Sequence, residues 1–157
     1  MEKEADSSYE EMNENCIFLD PGVWNVDGAK FAIYYFNSDG TNGLNNHFEY
    51  LVKVDGSDIY YTNLEEGWTN CIFVRVNSAC GEEITWEYVW NQTADLNVPA
   101  SLLITNMLTI TGWGGNENNW GKYTQETSAT RKINAVNISE YISRCEDGKL
   151  CIETTTG

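Results

Sequence analysis

The chain has 157 residues, is 41% hydrophobic, and carries a formal net charge of −15 from 24 acidic and 9 basic side chains. That length suits one domain with one core, and the apolar fraction is too high for a disordered chain. So acidic a surface excludes nucleic-acid backbones and anionic membrane surfaces as partners and leaves a neutral ligand such as a sugar unaffected, while no apolar run is long enough to span a bilayer.

Met1–Asn15 is acidic and polar, without the basic start and apolar stretch of a signal peptide, and reads as a linker or vector-derived tail ahead of a domain over 16–157. The runs that follow have strand character. Cys16–Leu19 is short and apolar, and Lys30–Asn37 is rich in aromatic and branched residues. Phe31, Ile33 and Tyr35 alternate with Tyr34 and Phe36; the Phe31 set is the more continuously apolar, which makes it the core face and turns Tyr34 outward with Lys30. His47–Asp55 alternates, then Gly56-Ser57-Asp58 turns the chain into Ile59–Asn63. Asn70–Asn77 alternates again, broken by Arg75. Trp86–Leu96 and Leu102–Thr111 follow, with Trp86, Tyr88 and Trp90 expected on one face of a strand and Trp90 in the core. The chain then offers Arg131–Ile138, a turn of helix at Ser139–Ser143, and a closing strand Leu150–Thr155. Gly, Asn and Asp punctuate these runs at the spacing of an all-β, antiparallel β-sandwich, jelly-roll or immunoglobulin-like, and no segment shows a sustained helical stripe or a solenoid repeat.

The five cysteines, Cys16, Cys71, Cys80, Cys145 and Cys151, include no C-x-x-C pair, and His47 is the only histidine, so no zinc or other metal site is expected. Cys145 and Cys151 either close a hairpin as a disulfide or are small buried hydrophobes. Asp55–Asp58 lacks the ligand spacing of a calcium loop, and a hairpin turn accounts for it. Asn91-Gln-Thr and Asn137-Ile-Ser are glycosylation sequons by pattern alone. A single histidine removes most nucleophilic triads. Glu82, Glu83 and Glu87 supply carboxylates for a glycosidase, but nothing pairs them across a cleft, and a solvated acidic face explains them.

The aromatic content is the strongest functional signal: six Trp, nine Tyr and five Phe, 13% of the chain. Trp113 and Trp120 fall within Gly112–Gly121, a segment too polar and Gly-rich for core and expected to be a mobile loop. Indoles exposed beside Asn, Asp and Glu suit a pyranose, whose C–H face stacks on the ring while amides and carboxylates meet the hydroxyls. The alternative is that both indoles fold back over an edge of the sandwich.

Ile17–Asn37, then Thr69–Asn77, then Trp86 and Trp90-Asn-Gln-Thr-Ala-Asp-Leu96 resemble, in that order, the family-26-like starch-binding modules found in surface proteins of gut bacteria. The resemblance covers about residues 16–98 and implies an antiparallel sandwich that binds starch chains without cleaving them. It implies a site aromatic near Tyr34, a site Trp at Trp86, and hydrogen-bonding amides at Asn91 and Gln92. This chain has Lys30 where the family often has an aromatic, and the tail after Pro99 with Trp113 and Trp120 lies outside the match. An extracellular but anaerobic setting would account for unpaired cysteines.

The sequence therefore predicts a non-catalytic carbohydrate-binding module, extracellular or at the cell surface, a monomer within a multidomain protein. Tyr34, Trp86, Trp113 and Trp120 are its expected stacking residues and Lys30, Asn91, Gln92 and Asn119 its hydrogen-bonding partners. The expected ligands are starch, amylopectin and maltooligosaccharides, with no cofactor, and a shallow site implies a Kd of about 1 mM to 1 μM. The rival readings are a protein-binding adhesin domain and a small jelly-roll glycosidase.

Overall fold

A computed structural model describes residues 15–124, of which those up to Tyr123 belong to one compact unit. The expected elements Arg131–Ile138, Ser139–Ser143 and Leu150–Thr155, together with Cys145, Cys151 and Asn137, lie outside the described residues. The described residues form ten strands: β1 (Cys16–Asp20), β2 (Lys30–Phe36), β3 (His47–Tyr50), β4 (Val52–Lys53), β5 (Tyr60–Asn63), β6 (Asn70–Val76), β7 (Val89–Gln92), β8 (Leu96–Asn97), β9 (Met107–Ile110) and β10 (Asn118–Gly121). Three single 3-10 turns, at Gly22–Trp24, Gly43–Asn45 and Trp86–Tyr88, are the only helical elements among the described residues. No helix there is long and apolar enough to cross a membrane.

The strands form two sheets. One has the order β10-β9-β1-β5-β4; the other runs β3-β2-β6-β7, with β8 also paired to β6. Every pairing is antiparallel except β1 with β9, which runs parallel from Phe18↔Met107 to Asp20↔Thr109. This departs from a purely antiparallel expectation: β9 reaches β1 only after the chain has crossed through the other sheet, and it arrives in the same direction.

One hydrophobic cluster draws on both sheets, with Ile17, Leu19, Leu108 and Ile110 from the first and Phe31, Ile33, Tyr35, Cys71 and Phe73 from the second. Phe31, Ile33 and Tyr35 are buried in it as the alternation requires, and Trp24 joins them from its 3-10 turn. On its other face the second sheet has a further cluster, Ala32, Ile72, Val74, Val76 and Cys80, against which Tyr34, Phe36, Phe48 and Tyr50 pack.

The run His47–Asp55 is not one strand. Leu51 is buried at the junction, its N–H donates to the Phe31 carbonyl at 2.9 Å, and the chain passes from the second sheet (β3) to the first (β4). Asp55–Asp58 is the hairpin turn joining β4 to β5, closed by the Ser57 hydroxyl donating to the Val54 carbonyl at 3.2 Å. Cys71 is a free thiol in the shared cluster, and burial pushes it up to about 12. At pH 8 only about one molecule in 10⁴ then holds the thiolate. Iodoacetamide is expected to leave Cys71 unmodified in the native protein and to alkylate it after guanidinium unfolding, read by peptide mass spectrometry; native-state alkylation of Cys71 at the rate of an exposed thiol contradicts the packing.

Candidate functional site

Arg75 organises one of two exposed aromatic patches. It lies on β6 two residues beyond Phe73, where a register shift between Arg75 and Val76 bends the pairing with β7. The residue is only 5% exposed, and a buried cation is tolerated only when its donors are used. They are. Nε donates to the Trp24 carbonyl at 2.7 Å, Nη1 to Asn91 Oδ1 at 3.0 Å, and Nη2 to the Val26 carbonyl at 3.0 Å and Asp27 Oδ2 at 2.9 Å. The guanidinium carbon sits 4.8 Å from the centroid of Trp90 and 5.2 Å from that of Trp113, so one cation lies over two indoles, each contact a cation–π attraction. Trp90 remains 40% and Trp113 50% exposed.

The Trp113 segment is held rather than loose. The Thr111 N–H donates to the Glu117 carbonyl, the Glu117 N–H to the Gly114 carbonyl, the Gly114 N–H to Glu117 Oε1, and Asn118 Nδ2 to the Gly115 carbonyl. The Ala94 N–H donates to the Gly115 carbonyl at 2.9 Å and ties the turn to the segment after β7. This corrects the expectation that Gly112–Gly121 is loop throughout: Asn118–Gly121 is strand β10, and the residues before it form a hydrogen-bonded turn.

The second patch lies on the outer face of the second sheet. Tyr34, Phe48 and Trp86 form a triangle of rings with centroids 4.8 to 4.9 Å apart, Trp86 standing edge-on to both others. Trp86 is 41% exposed. Lys30 serves this patch by holding its loop: Nζ donates to the Cys80 carbonyl at 2.6 Å and lies 5.6 Å from the Tyr50 centroid. The Tyr50 hydroxyl donates to the Gly81 carbonyl at 2.7 Å, and desolvation raises its pKa above the usual phenol range.

The eight expected site residues thus fall in three places. Tyr34, Trp86 and Lys30 share the outer patch. Asn91 sits with Trp113 around Arg75, and Gln92 is exposed on the same strand as Trp90. Trp120 and Asn119 belong to β10, where Asn119 is exposed and Trp120 packs edge-on to Phe73 at 6.2 Å against the shared cluster. Trp120 is therefore a partly buried packing residue, and it also lines a pocket of about 660 Å³ with Leu96, Val98, Pro99 and Ile104. Trp86, Tyr88 and Trp90 do not share a strand face: the first two lie in a 3-10 turn and Trp90 is an exposed residue of β7. Trp90 is not core: it is 40% exposed, at the register shift where Val76 pairs with Val89 and Arg75 with Asn91.

Arg75 and Trp90 are residues of the candidate site that sequence reasoning did not include. Their signal was present in Arg75 itself, a cation breaking the apolar alternation of Asn70–Asn77 in a chain rich in tryptophan. No family model matches the chain, and no curated protein or solved structure is found to be similar to it.

Proposed function

We propose that the two sheets pack as a β-sandwich, of jelly-roll or immunoglobulin-like type, and that the domain is a non-catalytic binder of starch-type α-glucans at a cell surface or outside the cell. The observation that carries this reading is the pair of exposed indoles, Trp90 and Trp113, each with its ring centroid within 5.2 Å of the guanidinium carbon of the buried Arg75. Large exposed aromatics are costly unless a ligand covers them. Here their orientation is set before any ligand arrives, so little rotamer entropy is lost on stacking a sugar. Polar groups that suit hydroxyls flank the rings. Asp27 is bonded to Arg75 through Oδ2 while its side chain stays 71% exposed, and Asn91 uses Oδ1 on Arg75 while its amide nitrogen makes no hydrogen bond among the described residues. Trp86 with Tyr34 provides a second stacking surface for a longer chain.

The preference for α-1,4-glucans rests on the sequence resemblance, since stacking alone does not choose between glucans. Affinity electrophoresis tests it. Migration is expected to be retarded in gels containing amylopectin and unchanged in hydroxyethylcellulose or xylan. Equal mobility in all three, or release of reducing sugar from soluble starch, contradicts the reading.

A further inference from the structure

Away from both aromatic patches, the edge strand β3 and the β5–β6 connection bring together His47, Glu49 and Glu65, the chain's only histidine and two carboxylates, each with one ligand-type atom within 4.8 Å of the others. His47 and Glu49 are two residues apart on β3, so they leave the same face of the strand. The arrangement is more specific than an acidic surface. His47 Nδ1 lies 2.7 Å from the Asn45 carbonyl oxygen, which can only accept, so Nδ1 carries the proton. That leaves Nε2 to face Glu65 Oε2 at 3.2 Å. A neutral Nε2 lone pair pointed at a carboxylate oxygen calls for a positive charge between them or on the ring.

The groups behind the ligands are also fixed. The Trp68 indole N–H donates to Glu65 Oε1 at 2.7 Å, and the Glu65 N–H donates to the Tyr35 hydroxyl at 3.2 Å. Tyr35 and Trp68 wall the imidazole, with centroids 5.4 and 5.9 Å from it. A backbone carbonyl on the far nitrogen of a histidine and a hydrogen bond on the far oxygen of a carboxylate are how metal ligands are oriented from behind.

We propose that His47 Nε2 and one oxygen each from Glu49 and Glu65 bind a divalent transition-metal ion of the zinc class, with water completing its shell. The imidazole selects this class over calcium and magnesium, which take oxygen ligands. Tetrahedral zinc with bonds of about 2.0–2.2 Å holds its ligands roughly 3.3–3.6 Å apart. The exposed Glu49 side chain is the arm that closes the difference. The net charge of −15 also draws cations to the surface, so the test must separate a built site from general acidity.

The full chain, labelled with ¹⁵N at histidine, is titrated with Zn²⁺ at pH 7.5 and followed by NMR and calorimetry. His47 gives the only histidine signals, so no assignment is needed. Saturable one-to-one binding that shifts Nε2 and leaves Nδ1 protonated is expected, unaffected by millimolar Mg²⁺. Glu65→Gln and Glu49→Gln are each expected to weaken binding at least tenfold, while Asp55→Asn in the β4–β5 turn leaves it unchanged. An Nε2 signal that does not move while Zn²⁺ binds, or equal affinity in Glu65→Gln and the parent chain, overturns the proposal and leaves His47 and Glu65 as an ion pair. The glucan reading does not depend on either result, because it rests on other residues.

Discussion

Replacing Arg75 with alanine is expected to lower stability by about 3–5 kcal/mol and to abolish measurable glucan binding in the fraction that still folds. The change removes donors to Trp24, Val26, Asp27 and Asn91 together. The Trp24 carbonyl belongs to a fully buried residue and loses its charged partner, a desolvation cost on top of the lost bond. The Asp27 bond contributes less, since that carboxylate is 71% exposed and screened by water. Trp90 and Trp113 lose the cation that sets their spacing, so both rings become free to rotate or collapse into the gap. Arg75→Lys separates the parts: a point charge cannot serve four acceptors in the guanidinium plane, so most of the loss is expected to persist. Guanidinium denaturation measures the stability. A loss under 1 kcal/mol in Arg75→Ala contradicts the role given to this residue.

The next largest effect is expected from Gly22→Ala, at about 3 kcal/mol or more. Gly22 has φ of +52°, in the left-handed region, which alone costs an L-residue about 1–2 kcal/mol. A Cβ there would collide with the Ile110 carbonyl oxygen. That oxygen belongs to β9, where Ile110 is paired with Asn118, so it cannot move aside without disturbing the β9–β10 ladder. Gly22 also opens the turn that delivers Trp24 to the core and its carbonyl to Arg75. Gly56→Ala is the control, with φ of +76° but open space around the added carbon, so only the backbone strain is expected. At roughly 4–8 °C per kcal/mol for a domain this size, Gly22→Ala should melt at least about 12 °C lower. Similar losses in the two variants contradict the close approach to Ile110.

Most strand positions were legible in the sequence, because alternation and branched or aromatic content mark β2 and β6 within a residue of their observed ends. The core face of β2 was legible for the same reason. What periodicity cannot show is which sheet a strand joins. His47–Asp55 alternates throughout, yet Leu51 sends its halves to different sheets, a consequence of the Phe31 contact across the fold. Trp86–Trp90 also alternates, but a 3-10 turn rotates Trp86 off the face that Trp90 takes. At the candidate site Trp113 was identified by its Gly-rich setting, whereas Trp120 shares that setting and packs inward because, in β10, it pairs with the buried Leu108 of β9. Arg75 could be noticed but not placed, since its two indoles come from segments 15 and 38 residues further along the chain.

Titration of maltoheptaose into the parent chain and into Trp90→Ala and Trp113→Ala, with melting temperature measured on each protein, tests the central claim most directly. The parent is expected to bind with a Kd of about 1 mM to 1 μM, and each substitution to weaken binding by about 1–3 kcal/mol, or roughly 5- to 150-fold. Both rings are at least 40% exposed, so melting should fall by only a few degrees, the loss of one cation–π contact each. Unchanged affinity in both variants together with a large fall in melting temperature would mean that the Trp90–Arg75–Trp113 stack only pins the 112–117 turn to the sheet, and would contradict its assignment as a sugar-binding surface.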